Sequence, residues 1–169
     1  AKYLIKKKLQ LGDVTEMLDV GGGSGAFSYV FVDSTPGLNS TVLELPEVCK
    51  TGEGIKAQQS ADVQSRVKFV ELDATSPDWP VNDATYEVVL MSYISGSVPE
   101  SIIGALYKNA YKALKPGGRL ILKDPVSTDD ETRFDRRYDD EGNLVYSINF
   151  RPRQWYPNKL SSRFTPKYQ

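Results

Sequence analysis

The segment Asp19-Val20-Gly21-Gly22-Gly23-Ser24-Gly25 constrains this chain more than any other. An apolar run at residues 15–20 (TEMLDV) reads as a buried strand, and residues 26–34 read as a helix that stops near Pro36-Gly37. A glycine run between a strand and a helix lets the backbone take positive φ and lets a ligand approach the main chain closely. The strand–loop–helix context separates this run from an ordinary turn. Its spacing, Gly21-x-Gly23-x-Gly25, departs from the G-x-G-x-x-G that seats a dinucleotide pyrophosphate, and no P-loop lysine follows. Both departures favour a ligand without phosphates and disfavour a nicotinamide-dependent oxidoreductase.

The alternation continues downstream. Strands are expected at residues 40–45, 66–72, 86–93 and 119–123, and helices at 46–61 and 99–114, the first of them weakened by Gly52 and Gly54. Pro116-Gly117-Gly118 reads as a tight turn, and residues 1–11 as the end of a basic amphipathic helix. Strands alternating with helices predict an α/β fold with right-handed crossovers and a mainly parallel sheet. Ligands on such sheets bind at the carboxyl ends of the strands. The pattern ends after Asp124, so residues 1–126 are read as a core domain and residues 127–169 as a charged and aromatic extension. Within that extension residues 144–150 alternate like a strand. Trp155, Tyr156, Phe164 and Tyr168 suit a segment lying on a surface, its own or a partner's.

Two carboxylates fall where that sheet would present them. Glu44 closes the second expected strand, and a carboxylate there can accept hydrogen bonds from both hydroxyls of a ribose. Asp73 closes the third, where an acid can accept from an adenine amino group. Either residue alone would pass for a solvated acid. Together with the glycine loop they form a constellation.

Composition narrows the chemistry further. The 169 residues suit one sizeable core, with 40% apolar and 25% charged residues. The net charge of −1 gives no field toward nucleic acid or an anionic membrane. No apolar run approaches the ~18 residues of a membrane span. The lone cysteine, Cys49, rules out an intrachain disulfide and multi-cysteine zinc sites, and its scarcity points to a reducing cytoplasmic or organellar interior. Histidine is absent, which removes the commonest general base and every Ser/His or Cys/His pair. The chain opens on Ala1 rather than Met, as expected of a processed form or a piece of a longer protein.

Leu18-Asp19-Val20-Gly21-Gly22-Gly23-Ser24-Gly25, with Leu43-Glu44-Leu45-Pro46-Glu47-Val48 and Lys115-Pro116-Gly117-Gly118-Arg119-Leu120, resembles the S-adenosylmethionine-dependent O-methyltransferases of small molecules. The resemblance covers roughly residues 15–124 and implies a Rossmann-like class I methyltransferase fold with S-adenosylmethionine as cofactor. It implies that the backbone at Gly21 and Gly23 passes the methionine part, and that Asp19 holds its amino group or orders the loop. Glu44 would bind the ribose, and Asp73 and Ala74 would flank the adenine. The departures are on the acceptor side. Ser95 stands where the family has a histidine base, Gly96 where an aspartate usually follows, and Met91 where a cofactor-contacting lysine is common. The family's amino-terminal dimerisation domain is missing from this chain, and its carboxyl-terminal hairpin is not recognisable in the tail.

Two functions remain open on this reading. One is a methyltransferase acting on a small-molecule acceptor. A histidine base contributes about 10²–10⁴-fold, so its loss need not abolish transfer, least of all to a thiol, an amine or an acceptor already ionised. Ser95, Tyr93 or Glu100 could then orient the acceptor. The other is a catalytically degenerate relative serving as a structural subunit of a protein assembly, with the aromatic tail as its docking segment.

Overall fold

The computed structural model describes residues 11–165; the basic helix expected at the amino terminus, apart from Leu11, and Tyr168 of the tail lie outside them. Five strands form one parallel sheet: β1 (Glu16–Val20), β2 (Asn39–Glu44), β3 (Val67–Glu71), β4 (Tyr86–Ser92) and β5 (Leu114–Lys123), in the order β3-β2-β1-β4-β5. The helices between them are α1 (Ala26–Ser34), α2 (Pro46–Lys56), α3 (Ala61–Arg66) and α4 (Glu100–Ala113). The chain order reverses direction at β1, between β2 and β4, so the ends of these three strands flank the crevice where ligands of such sheets bind. The expected α/β Rossmann-like architecture is therefore the one observed.

Strand periodicity sorts the core into two layers. Leu18, Val20, Val89 and Met91 face Ile103, Leu106 and Ala110 of α4. Met17, Val42, Val88 and Leu90 face Phe31 and Val32 of α1, with Val63 of α3. Side chains of this size contribute about 1.5–3 kcal/mol each when fully buried. Asp19 shares the Met17 parity and so is carried into the α1 layer, where it is fully buried. The Arg66 guanidinium closes the other end of α1, donating to the carbonyl oxygens of Val32, Thr35 and Leu38.

Three local expectations are revised. The helix expected at 46–61 ends at Lys56, and an unexpected helix, Ala61–Arg66, follows it, capped by Ser60, which accepts from the Val63 amide. Gly52 does not weaken α2 but permits its packing: a Cβ there would lie 2.4 Å from the Phe69 ring. Residues 116–118 are not a free turn but belong to a bulge within β5, whose pairing with β4 jumps from Tyr86↔Leu114 to Val88↔Arg119.

The tail holds the hairpin that was not recognisable in the sequence. β7 (Arg133–Tyr138) runs antiparallel to β8 (Leu144–Pro152), and β6 (Val126–Ser127) adds parallel to β8. Asp139 shapes the turn by accepting from the Asn143 amide at 2.7 Å. α5 (Trp155–Leu160) then returns Tyr156 and Leu160 to the α4 layer of the core, and Phe164 meets the Tyr111 ring edge-on at 5.6 Å. No helix among the described residues is long and apolar enough to cross a membrane.

Candidate cofactor and acceptor site

The glycine loop is shaped by its neighbours. Gly21 sits at φ +64°, and a Cβ there would lie 2.7 Å from Ile94 Cδ1, so the exit of β4 closes directly on the loop. A Cβ at Gly22 would lie 2.8 Å from Asp19 Oδ2, so the loop main chain rests on that carboxyl. Asp19 Oδ2 accepts from Ser28 Oγ at 2.7 Å, and Ser28 Oγ lies 2.8 Å from Ser40 Oγ. Asp19 Oδ1 is buried with no partner. Burial, opposed by the Ser28 hydrogen bond and reinforced by the charge of Glu44, raises the Asp19 carboxyl to a pKa of about 6. A buried acid with an unsatisfied oxygen beneath an open glycine loop is an electrostatic site for a cation.

Glu44 ends β2 beside this loop. Its Oε2 accepts from the Gly23 amide at 2.9 Å and its Oε1 from the Leu45 amide at 2.8 Å. A carboxylate has about four acceptor positions, so both oxygens keep capacity for further donors. Asp73 lies two residues beyond β3, next to the Glu44 strand end, because the Leu72 amide bonds the Glu44 carbonyl at 2.8 Å. Its Oδ1 accepts from the Thr75 hydroxyl and amide, which holds the carboxyl below its usual range. Ala74 is buried in the core, and its carbonyl accepts from Trp79 Nε1 at 3.1 Å. The structure thus joins Glu44 to Gly23 by a hydrogen bond and sets Asp19 against Gly22 of the same loop, with the Gly21 amide bonded to the Leu43 carbonyl beside Glu44. It sets Asp73 and Ala74 on the adjacent strand end.

The carboxyl ends of β4 and β5 are different. Ser95 opens a 3-10 turn (Ser95–Ser97) and is fully buried. Its hydroxyl accepts from Tyr107 Oη at 3.1 Å, and its carbonyl accepts from Arg151 Nη1. β8 lies over the turn so closely that a Cβ at Gly96 would come 3.0 Å from Ile148 and 3.1 Å from the Asn149 carbonyl. A side chain at position 96 would fit only if Ile148 and the Asn149 carbonyl gave way by a few tenths of an ångström. Arg151 is itself buried; it also donates to the Val98 carbonyl at 3.0 Å, lies 3.5 Å from Glu100 and stacks on Trp155 at 4.4 Å. Asp124, at the end of β5, has both oxygens buried without a well-aligned hydrogen bond, the Ser95 hydroxyl and the Ser95 and Gly96 amides being the donors near it. Burial raises its carboxyl. Tyr107 and Tyr156 close this cluster, and burial pushes the Tyr107 phenol up to about 12. Ser95 therefore faces the interior, as does most of this cluster, while Tyr93 stands half-exposed and Glu100 is tied to Arg151 and Lys159.

Arg151 and Asp124 did not emerge from the sequence as functional residues. The one signal for Arg151 is a lone cation closing the alternating run 144–150. Asp124 carries the signal of an acid at a predicted strand end, the same that singled out Glu44.

A family model for the O-methyltransferase domain matches residues 1–149. Over 131 residues the chain is 32% identical to the bacteriochlorophyllide d C-20 methyltransferase of Chlorobaculum tepidum, covering 78% of this chain and 37% of that one. Over 107 residues it is 32% identical to the ubiquinone/menaquinone biosynthesis C-methyltransferase UbiE of Cereibacter sphaeroides, covering 63% of this chain and 41% of that one. The fold superimposes on that of an S-adenosylmethionine-dependent methyltransferase from Methanosarcina mazei with a TM-score of 0.78 at 21% identity, covering 98% of this chain and 85% of that one. The chain spans about two fifths of the length of these two curated relatives.

Proposed function

The chain belongs to the O-methyltransferase domain family, and on that premise we propose that it binds S-adenosylmethionine at the carboxyl ends of β1, β2 and β3 and transfers the methyl group to a small-molecule acceptor. The observation that carries this reading is Glu44, fixed at the end of β2 by the Gly23 amide with acceptor capacity left on both oxygens. Two vicinal hydroxyls of a ribose suit that carboxylate. The main chain at Gly21 and Gly23 offers the narrow passage that a methionine chain needs. Asp19 orders the loop from below, and its buried negative charge favours an ammonium and a sulfonium above it. Asp73 and Ala74 border the adenine. The orphaned Asp19 oxygen and the acidic setting fit a cationic cofactor without phosphates. The sulfonium methyl supplies a strong electrophile, and the chain's part is to hold an acceptor in line with it.

Calorimetric titration with S-adenosylmethionine and S-adenosylhomocysteine tests this. Micromolar binding is expected, weakened about 10–100-fold by Glu44→Ala, as for loss of a pair of charge-assisted hydrogen bonds. A folded chain that binds neither compound refutes the proposal.

A second reading draws on a specific observation. Ser95 is sealed under β8, while Phe134, Tyr138 and Tyr146 of the hairpin are exposed. A degenerate relative docking on protein partners through the extension, residues 127–169, would present such aromatics, and the calorimetry separates the two. In either case the buried cysteine, Cys49, suits a reducing cytoplasmic or organellar interior.

A further inference from the structure

With Ser95 sealed, the groups that the ends of β4 and β5 offer to an acceptor are Tyr93 and Lys123. Tyr93 follows β4 at φ +64°, a left-handed conformation that a bulky residue adopts only where its surroundings enforce it, often at functional sites. Its amide donates to the Lys123 carbonyl at 2.8 Å, and its ring is half exposed. Lys123, the last residue of β5, extends back across β4. Its Nζ lies 3.6 Å from the centre of the Tyr93 ring and 5.5 Å from that of Phe27, in the first turn of α1. No salt bridge to Lys123 occurs among the described residues, and the Tyr93 and Phe27 ring faces are the groups its ammonium is set against. Ser92, its partner across the β4–β5 ladder, has a buried hydroxyl with no hydrogen-bond partner. Ile94, next to Tyr93, is the residue that closes on Gly21. A cation framed by two aromatic rings thus stands between the glycine-loop helix and the end of β4, on the rim of the proposed cofactor crevice.

We infer that Lys123 holds the methyl acceptor's oxygen as its anion, with Tyr93 and Phe27 flanking a planar aromatic acceptor, so that the nucleophile arrives ionised and the reaction needs no protein base. The inference rests on the S-adenosylmethionine-dependent reading above and adds the group that carries the acceptor's charge. The balance is simple. The acceptor oxyanion forms the oxygen–carbon bond to the methyl group while the sulfur–carbon bond breaks, its electron pair stays on sulfur, and no proton has to move. An ammonium in a partly water-excluded rim favours the ionised over the neutral acceptor by a Coulomb attraction that bulk water would mostly screen.

The test uses the full chain, 4-nitrophenol as probe and S-adenosylhomocysteine as the cofactor product. The nitrophenolate absorbance is followed against pH with the chain saturating. Its ionisation midpoint is expected to fall by about one pH unit on binding, a tenfold preference for the anion. Lys123→Met should abolish the shift while leaving S-adenosylhomocysteine affinity within about twofold, and Lys123→Arg should retain most of it. An unmoved midpoint, no probe binding, or a shift that survives Lys123→Met overturns the inference. So does a Lys123→Met variant that loses S-adenosylhomocysteine yet keeps the probe, which would assign the lysine to the cofactor's carboxylate. S-adenosylhomocysteine binding without a probe shift refutes this inference alone. Failure of the wild-type chain to bind S-adenosylhomocysteine refutes the proposed function, and this inference with it.

Discussion

The two charged residues that are fully buried among the described residues, Asp19 and Arg151, are treated in opposite ways. Asp19, under the β1 loop, has one oxygen satisfied by Ser28 and the other left without a partner. Arg151, under the β4 loop, has its nitrogens directed at two carbonyl oxygens and a carboxylate and its plane stacked on Trp155. A satisfied buried charge is a fastening. An unsatisfied one marks a place where something else is expected to bind. Within this pair the unsatisfied charge lies at β1 and the satisfied one at the 3-10 turn and β8, where the Asp124 carboxyl is a further buried group without a partner, although the family resemblance would have put chemistry at both.

The contrast can be broken at its strongest point by Arg151→Ala. Removing a buried cation strands the Ser95 and Val98 carbonyls, and a loss of about 3–5 kcal/mol is expected in urea unfolding. If the comparison holds, cofactor affinity at temperatures where the variant stays folded should not change. A matching loss of S-adenosylhomocysteine binding would show that the two halves are coupled.

Asp19→Asn probes the other charge. Its carboxyl is raised from 3.8 to about 6, so the folded chain keeps a proton there that the unfolded chain releases. Stability is undiminished below about pH 4, falls as pH rises through about 6, and is about 3 kcal/mol lower above that. The asparagine variant, which cannot ionise, should therefore exceed the wild type by about 3 kcal/mol near pH 8 and match it near pH 4 in urea titrations. Binding of a cationic cofactor should tighten over the same rise in pH in the wild type and not in the variant.

Gly22→Ala sharpens the picture of the loop. Its methyl would meet the Asp19 carboxyl and Val42 at 2.8 Å, and a cost of about 1–3 kcal/mol in thermal unfolding is expected. The smallest effect belongs to Ser95→Ala, which removes the buried hydroxyl that accepts from Tyr107 and lies near the Asp124 carboxyl. About 1 kcal/mol should be lost, with methyl-transfer turnover unchanged. A large loss of turnover at intact stability would return Ser95 to the reacting centre.

What could be read from the sequence follows the range of the interactions involved. The five parallel strands and the glycine loop were legible because their signals are local: apolar runs of strand length bounded by glycines and prolines. Glu44 was legible for the same reason, as the last residue of such a run. The strand Arg133–Tyr138 was not, since its residues are mostly charged and it exists by pairing with β8. The burial of Ser95 was equally hidden, because it depends on Arg151, 56 residues further on. The helix Ala61–Arg66 was missed because its start turns on one capping hydroxyl, that of Ser60.

The fastening by Arg151 has an evolutionary consequence. Its two strongest contacts in the loop are to main-chain carbonyl oxygens, and every residue type carries one of those. Sequence drift at position 95 changes side chains without removing what the guanidinium grips. A lineage could exchange its catalytic side chain there for a small one and still keep the lid in place. The fold would then outlast its base, leaving room for chemistry to be rebuilt from residues at the ends of the neighbouring strands.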